Sequence, residues 1–140
     1  MAWIVRILKS TFALPVWVLV WIFVFLLPAN FAGFWFLDTD VGFWVSVLGA
    51  GAIIVNMIPV LVNGGVSKVL AIPHLIFWIP LEIILLRLVM TGDLATSEWR
   101  LAIAVLIING ISLGFDFYDT AEWWKGNRKV VGYEDEPVRL

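Results

Sequence analysis

The chain has 140 residues, 62% hydrophobic and 14% charged, with a mean hydropathy of +1.00 and a formal net charge of −2. That is far more apolar than soluble domains, which average about 45–50% apolar residues, so lipid is the solvent to expect. The acidic balance excludes the basic stripe of a nucleic-acid binder. The absence of cysteine removes disulfides, thiolate metal sites and thiol redox chemistry.

Arg6 and Lys9 open the chain, and from Ser10 to Leu37 no charged residue occurs. A hydrocarbon core about 30 Å thick needs about 20 helical residues, and period-two alternation is absent, so the spans are read as helices. The first span is expected over 11–28, where Pro28 closes the apolar run. A cleavable leader is the competing reading of this segment. The apolar run exceeds the usual leader core of about 7–15 residues, and the reading adopted is a retained helix. Phe31, Phe34, Trp35 and Phe36 follow, and their stretch 30–37 is expected to lie in the interface plane. Further spans are expected over 43–62, 71–90 and 99–117, with a tail over 118–140. They are separated by Asp38-Thr39-Asp40, Asn63-Gly64-Gly65 and Thr91-Gly92-Asp93.

This arrangement predicts an all-α integral membrane protein, a single domain of four transmembrane helices with short loops and both termini on one side. Every Lys and Arg except Arg87 and Arg100 falls at the terminal side, whereas Asp38, Asp40, Asp93 and Glu98 sit on the other. Translocation disfavours cations in short exported loops, which predicts a multi-pass protein of the cell (inner) membrane with cytoplasmic termini. Trp3, Trp35, Trp44, Trp99, Trp123 and Trp124 fall at headgroup level in this frame, where indole rings concentrate.

Polar groups are costly in hydrocarbon, so any function is sought among them. On the second span Gly42, Gly49, Asn56 and Asn63 recur every seven residues, with Ala52 close beside. A seven-residue repeat keeps these on one helix face and suits close helix packing, as do Asn109 and Ser112 on the fourth span. Gly49, Ala52, Asn109 and Ser112 are therefore read first as packing residues. The third span offers His74, Trp78 and Glu82 at steps of four. Glu82 lies near mid-span, and Arg87 stands roughly 140° around the helix from it, so a partner on another helix is expected.

Asp116, Asp119 and Glu122 form a D-x-x-D-x-x-E series ahead of Trp123, Trp124, Lys125 and Gly126, the last suited to end a helix. Like charges so close need an offset, which Lys68, Lys125, Arg128 or Lys129 can supply. His74, Asp116 and Asn63 are placed at similar depth and are read as one polar site suited to a proton or hard cation. The chain holds no nucleophile-elbow, zinc-protease or phosphate-loop motif, and no cofactor, metal or catalytic residue is assigned. The expected function is an interaction role, as an accessory subunit or homo-oligomer building block with the bilayer and a larger membrane complex as its partners. A proton or ion pathway using Asn56, Asn63, His74, Glu82, Asp116 and Asp119 is the alternative, and a membrane enzyme comes third.

Overall fold

A computed structural model describes residues 1–136, so Arg139 lies outside the described residues. The protein is an all-α four-helix membrane bundle, preceded by a short helix α1 (Ala2–Phe12). The four long helices are α2 (Val16–Phe36), α3 (Asp40–Asn63), α4 (Lys68–Thr91) and α5 (Thr96–Trp124), each long and apolar enough to cross a bilayer. No strand occurs among the described residues, only isolated bridges at Ser67, Val130 and Tyr133.

Pro15 separates α1 from α2: it has no amide hydrogen for a continuing helix and its ring would strike the preceding turn, and its extended ψ (φ −53°, ψ 142°) lets a new helix start at Val16. The membrane helix therefore starts at Val16 rather than at residue 11. It also runs past Pro28 to Phe36, so 30–37 is the end of a span and not a surface loop; Asn30 and Gly33 are buried, although Phe34, Trp35 and Leu37 face outward. Pro28 is tolerated because the widened turns of a π-helical stretch, Trp21–Leu26, precede it and rearrange the carbonyls its ring would strike.

Thr39 caps α3, its hydroxyl accepting from the Gly42 amide at 3.0 Å. A second π-helical stretch, Val45–Ala50, interrupts α3, and Gly64 ends it in the left-handed conformation (φ +69°) that glycine adopts without a Cβ penalty. The core at the end away from the termini is mainly apolar: Val41, Val45, Leu81, Leu85, Ala102 and Val105 are fully buried. Outer faces of the long helices carry exposed Val, Ile, Leu and Phe, as expected of a surface that meets lipid.

The termini are tied together at the other end. Ser10 Oγ, fully buried, accepts from the Val66 amide at 2.9 Å, and the Val66 carbonyl accepts from the Val131 amide at 2.9 Å. Arg6 pairs with Glu136 and lies over the Tyr133 ring, 4.0 Å from its centroid. With its polar side so engaged, α1 leaves Ile4, Val5, Leu8 and Phe12 exposed, the pattern of a helix lying in the membrane interface.

Candidate functional site

Two polar stations inside the bundle are built by residues distant in sequence, and Glu82 is a third polar position. The first joins α2 to α5. Asn30 Nδ2 donates to Asn109 Oδ1 at 2.8 Å and Asn109 Nδ2 returns a bond to Asn30 Oδ1 at 2.9 Å, both side chains fully buried. Gly49 of α3 makes room for this pair, since a Cβ there would stand 2.5 Å from Asn30 Oδ1. One helical turn below Asn109, Ser112 accepts from Trp21 Nε1 at 3.0 Å. Asn109, Ser112 and Gly49 thus all sit at helix contacts, and Ala52 is buried in the same core.

The second station lies in the half of the bundle nearer the termini. His74 Nε2 stands 2.6 Å from Asn56 Nδ2, and His74 Nδ1 stands 3.2 Å from both carboxylate oxygens of Asp116, with hydrogen-bond geometry to Oδ1. An imidazole that donates from Nδ1 to a carboxylate presents Nε2 as an acceptor, and the Asn56 amide meets it with a donor. The ring stacks on Trp78 with centroids 4.0 Å apart and planes 3° apart, and Trp78 in turn donates to the Gly49 carbonyl at 3.2 Å. His74 is thereby held on three sides. Asn56 Oδ1 is a buried acceptor without a hydrogen-bond partner, and Asp116 Oδ2, equally buried, has only its 3.2 Å ion-pair contact with His74 Nδ1.

Asn63 stands two turns beyond Asn56 on α3 and donates to Ser67 Oγ at 3.0 Å, so the α3 side chain on the imidazole is Asn56. The seven-residue series on α3 does not keep one face: Gly42 and Gly49 abut Phe36 and Asn30 of α2, whereas Asn56 turns to α4. The π-helical stretch Val45–Ala50, which contains Gly49, and the break at Asn56 between Gly51–Val55 and Met57–Asn63 both interrupt the regular period of α3. At the mouth of the second station Lys68 pairs with Asp119 and lies 5.2 Å from the Tyr118 ring centroid. Lys125 pairs with Glu122 at 3.1 Å, and the Arg128 guanidinium covers the Trp123 ring at 4.4 Å. The crowded carboxylates of α5 are offset by these cations. Gly126 follows the helix end at φ +100°.

A cleft of about 880 Å³ opens beside His74 and Asp116, between α2 and the other three long helices. Its walls are mostly apolar, and it exists because Val16–Val20 of α2 buries no residue against the bundle. Trp17, Phe23, Met57 and Phe115 line it and are exposed, so it opens toward lipid.

The third polar position is Glu82. It is half-buried on α4, its Oε1 buried and without a hydrogen-bond partner and its Oε2 3.7 Å from where a Cβ of Gly110 would stand. Gly110 and Gly114 both lie on the exposed side of α5, and a Cβ at Gly114 would meet nothing within 4 Å. Arg87 is exposed near the far end of α4.

The chemistry available is that of hydrogen bonding and ion pairing. His74 and Asp116 offer one nitrogen and one carboxylate, and among the described residues no three His, Asp or Glu side chains gather as a metal site. Asn30, Trp21 and the α1-to-tail contacts were not singled out from sequence. Asn30 carried a signal, an amide beside an apolar run, which the assumed end of the span at Pro28 concealed. No protein-family model, curated protein or solved structure matches the chain.

Proposed function

We propose that this chain is a membrane protein whose role is interaction within the bilayer, assembling with further copies of itself through the lipid-facing side of α4 and α5. The observation that carries this reading is Glu82. Its side chain is half-buried near the middle of a span, with Oε1 buried and unpartnered and Oε2 directed toward Gly110, and Gly110 with Gly114 one turn on leaves the exposed α5 backbone open to close approach. A polar group in hydrocarbon favours helix association that supplies it a partner, and small residues four apart let backbones meet. The role is not catalytic. The cation distribution supports placing the protein in the cell (inner) membrane with its termini in the cytoplasm.

Energy transfer between donor- and acceptor-labelled copies in liposomes, followed as protein is diluted with lipid, tests this. Interhelical polar bonds in membranes are worth about 0.6 kcal/mol on average and up to about 1.7, so Glu82→Leu should weaken association about threefold to twentyfold. Glu82→Gln retains a bonding group and should weaken it less, whereas Gly114→Leu should block it while leaving the monomer folded. Wild-type transfer no greater than random proximity would refute self-association.

A second reading, a proton or ion-conducting subunit, draws on His74 held between Asn56 and Asp116. Against it stands the close-packed apolar cluster of Val45, Leu81, Leu85 and Val105 between that station and the far end of the bundle. Within one copy His74 sits at a dead end, which favours binding over conduction.

A further inference from the structure

We propose that a recess between α3 and α4, at the end of the bundle away from the termini, binds an anionic phospholipid through its phosphate, with Arg87 as the cation that holds it. The recess has a volume of about 400 Å³ and is lined by Trp44 of α3 and by Ile84, Arg87, Leu88 and Thr91 of α4. That volume lies within the range of roughly 300–1,000 Å³ typical of small-molecule sites. The site belongs to α3 and α4, whereas the self-association seam is built on Glu82 and the glycines of α5, so neither reading rests on the other.

Arg87 sets the sign of the ligand. Its side chain is exposed, and among the described residues it enters no ion pair, whereas Arg6, Lys68 and Lys125 are each held by a carboxylate. Glu82 and Asp93, on either side of it in sequence, and Asp40, one turn before Trp44, leave it unpaired. Thr91 Oγ1 gives its hydrogen to the Arg87 carbonyl at 2.8 Å, so the guanidinium is the donor that Arg87 and Thr91 offer the recess. A guanidinium presents its N–H groups as a planar fork that fits the oxygens of a phosphate two at a time. Depth then selects the source of that phosphate. Arg87 stands four residues before the end of α4 and Trp44 four residues after the start of α3, each about 6 Å inside its helix end. Indole rings and long basic side chains meet lipid head groups at that level. Toward the bilayer centre the walls turn apolar: Ile84 is followed one turn deeper by Pro80 on α4, and Trp44 by Val47 on α3, both exposed. A phosphodiester held at Arg87 can run its acyl chains down this surface, which inorganic phosphate does not use. In choline or ethanolamine heads an ammonium already accompanies the phosphate, so a phosphoglycerol head, which lacks one, pairs best.

Mass spectrometry of the intact full chain released from detergent micelles reads lipid occupancy per protomer, whatever the oligomeric state. Titrated with dioleoyl phosphatidylglycerol and dioleoyl phosphatidylcholine, the wild type should hold one molecule of the first about tenfold more tightly than the second. A hydrogen bond to a charged group is strong enough that Arg87→Gln should weaken phosphatidylglycerol binding about tenfold and remove the preference over phosphatidylcholine. Arg87→Lys keeps the charge without the fork and should fall between. Arg100→Gln removes the same charge at the same end of the bundle, from an exposed residue of α5 outside the recess, and should bind as wild type. Ile84→Trp fills the recess without touching its charge, so it should lower phosphatidylglycerol occupancy while circular-dichroism melts show the bundle still folded. Displacement of the lipid by millimolar inorganic phosphate would assign the site to a free anion and overturn the phospholipid as occupant. Equal binding of the two lipids by the wild type, or equal losses in Arg87→Gln and Arg100→Gln, would overturn the proposal, because Arg87 would then be one more surface charge. Unchanged binding in a folded Ile84→Trp variant would overturn it too.

Discussion

The Asn30–Asn109 pair allows the worth of a polar contact in this bundle to be measured directly. Each amide gives one bond and receives one, at 2.8 and 2.9 Å, across 79 residues of chain, and both side chains are fully buried. Asn109→Ala removes both bonds and leaves Asn30 Oδ1 facing Gly49 with no donor, while Asn30 Nδ2 keeps its 3.0 Å bond to the Leu26 carbonyl. Two interhelical bonds at about 0.6 kcal/mol each, with an upper value of about 1.7, set a coupling of about 1–3 kcal/mol. Unfolding by denaturant in mixed micelles for wild type, Asn30→Ala, Asn109→Ala and the double variant isolates that term, because each single change breaks the same pair. The double variant should be less destabilised than the sum of the singles by about 1–3 kcal/mol. Additivity within about 0.5 kcal/mol would mean that the two amides do not interact, and the account of how α2 docks on α5 would fall.

Further outcomes follow from the same geometry. Gly49→Ala should lower thermal stability because its methyl would stand 2.5 Å from Asn30 Oδ1, whereas Gly114→Ala, with open space around it, should melt with wild type; equal melting of both would remove Gly49 from the seam. Cysteines at Thr96 and Lys125, both exposed and at opposite ends of α5, should label from opposite faces of intact cells, Thr96 from outside. Labelling of Lys125→Cys from outside would invert the proposed orientation. Glu134, in the tail outside the membrane, accepts from the Gly132 amide at 2.8 Å, and that bond holds its carboxyl below the ordinary range. A lowered folded value means the turn is favoured above the ordinary carboxyl pKa and loses that support as pH falls through the lowered one. Hydrogen exchange at the Gly132 amide should therefore speed up on acidification relative to its intrinsic rate, and Glu134→Gln should abolish the pH dependence.

The number of spans was legible because long uncharged runs alternate with compact polar breaks, and the helices do turn at Asp38–Asp40, Asn63–Gly65 and Thr91–Asp93. Where reading failed, the causes are local and physical. The apolar run that begins at Thr11 concealed the break at Pro15, and α1 went unrecognised because its polar residues, Arg6 and Ser10, are satisfied by segments more than 50 residues away. Pro28 has the sequence signature of a terminator, although a π-helical turn before it lets the helix continue and brings Asn30 inward. Asn63 has the same seven-residue register as Asn56, but it bonds Ser67 in the following turn, and depth along the span alone does not tell which of the two amides meets His74. Pairing of His74 with Asp116 required only similar depth on adjacent helices, which sequence position does encode.

The tie between the two ends of the chain has a consequence in time. Arg6 meets Glu136 across 130 residues, and the Val66 carbonyl is bound by Val131. A ribosome adding about 5–20 residues per second needs roughly 6–26 s to pass from one partner to the other. Throughout that interval α1 has been synthesised but cannot be locked, and its exposed Ile4, Val5, Leu8 and Phe12 give it a resting place on the membrane surface. Leu8 and Thr11 of α1 line the cleft beside His74, so that wall is the last to be fixed. The four spans can insert in order as they emerge, while the cleft takes its final shape only when the residues that follow α5 fold back beneath it.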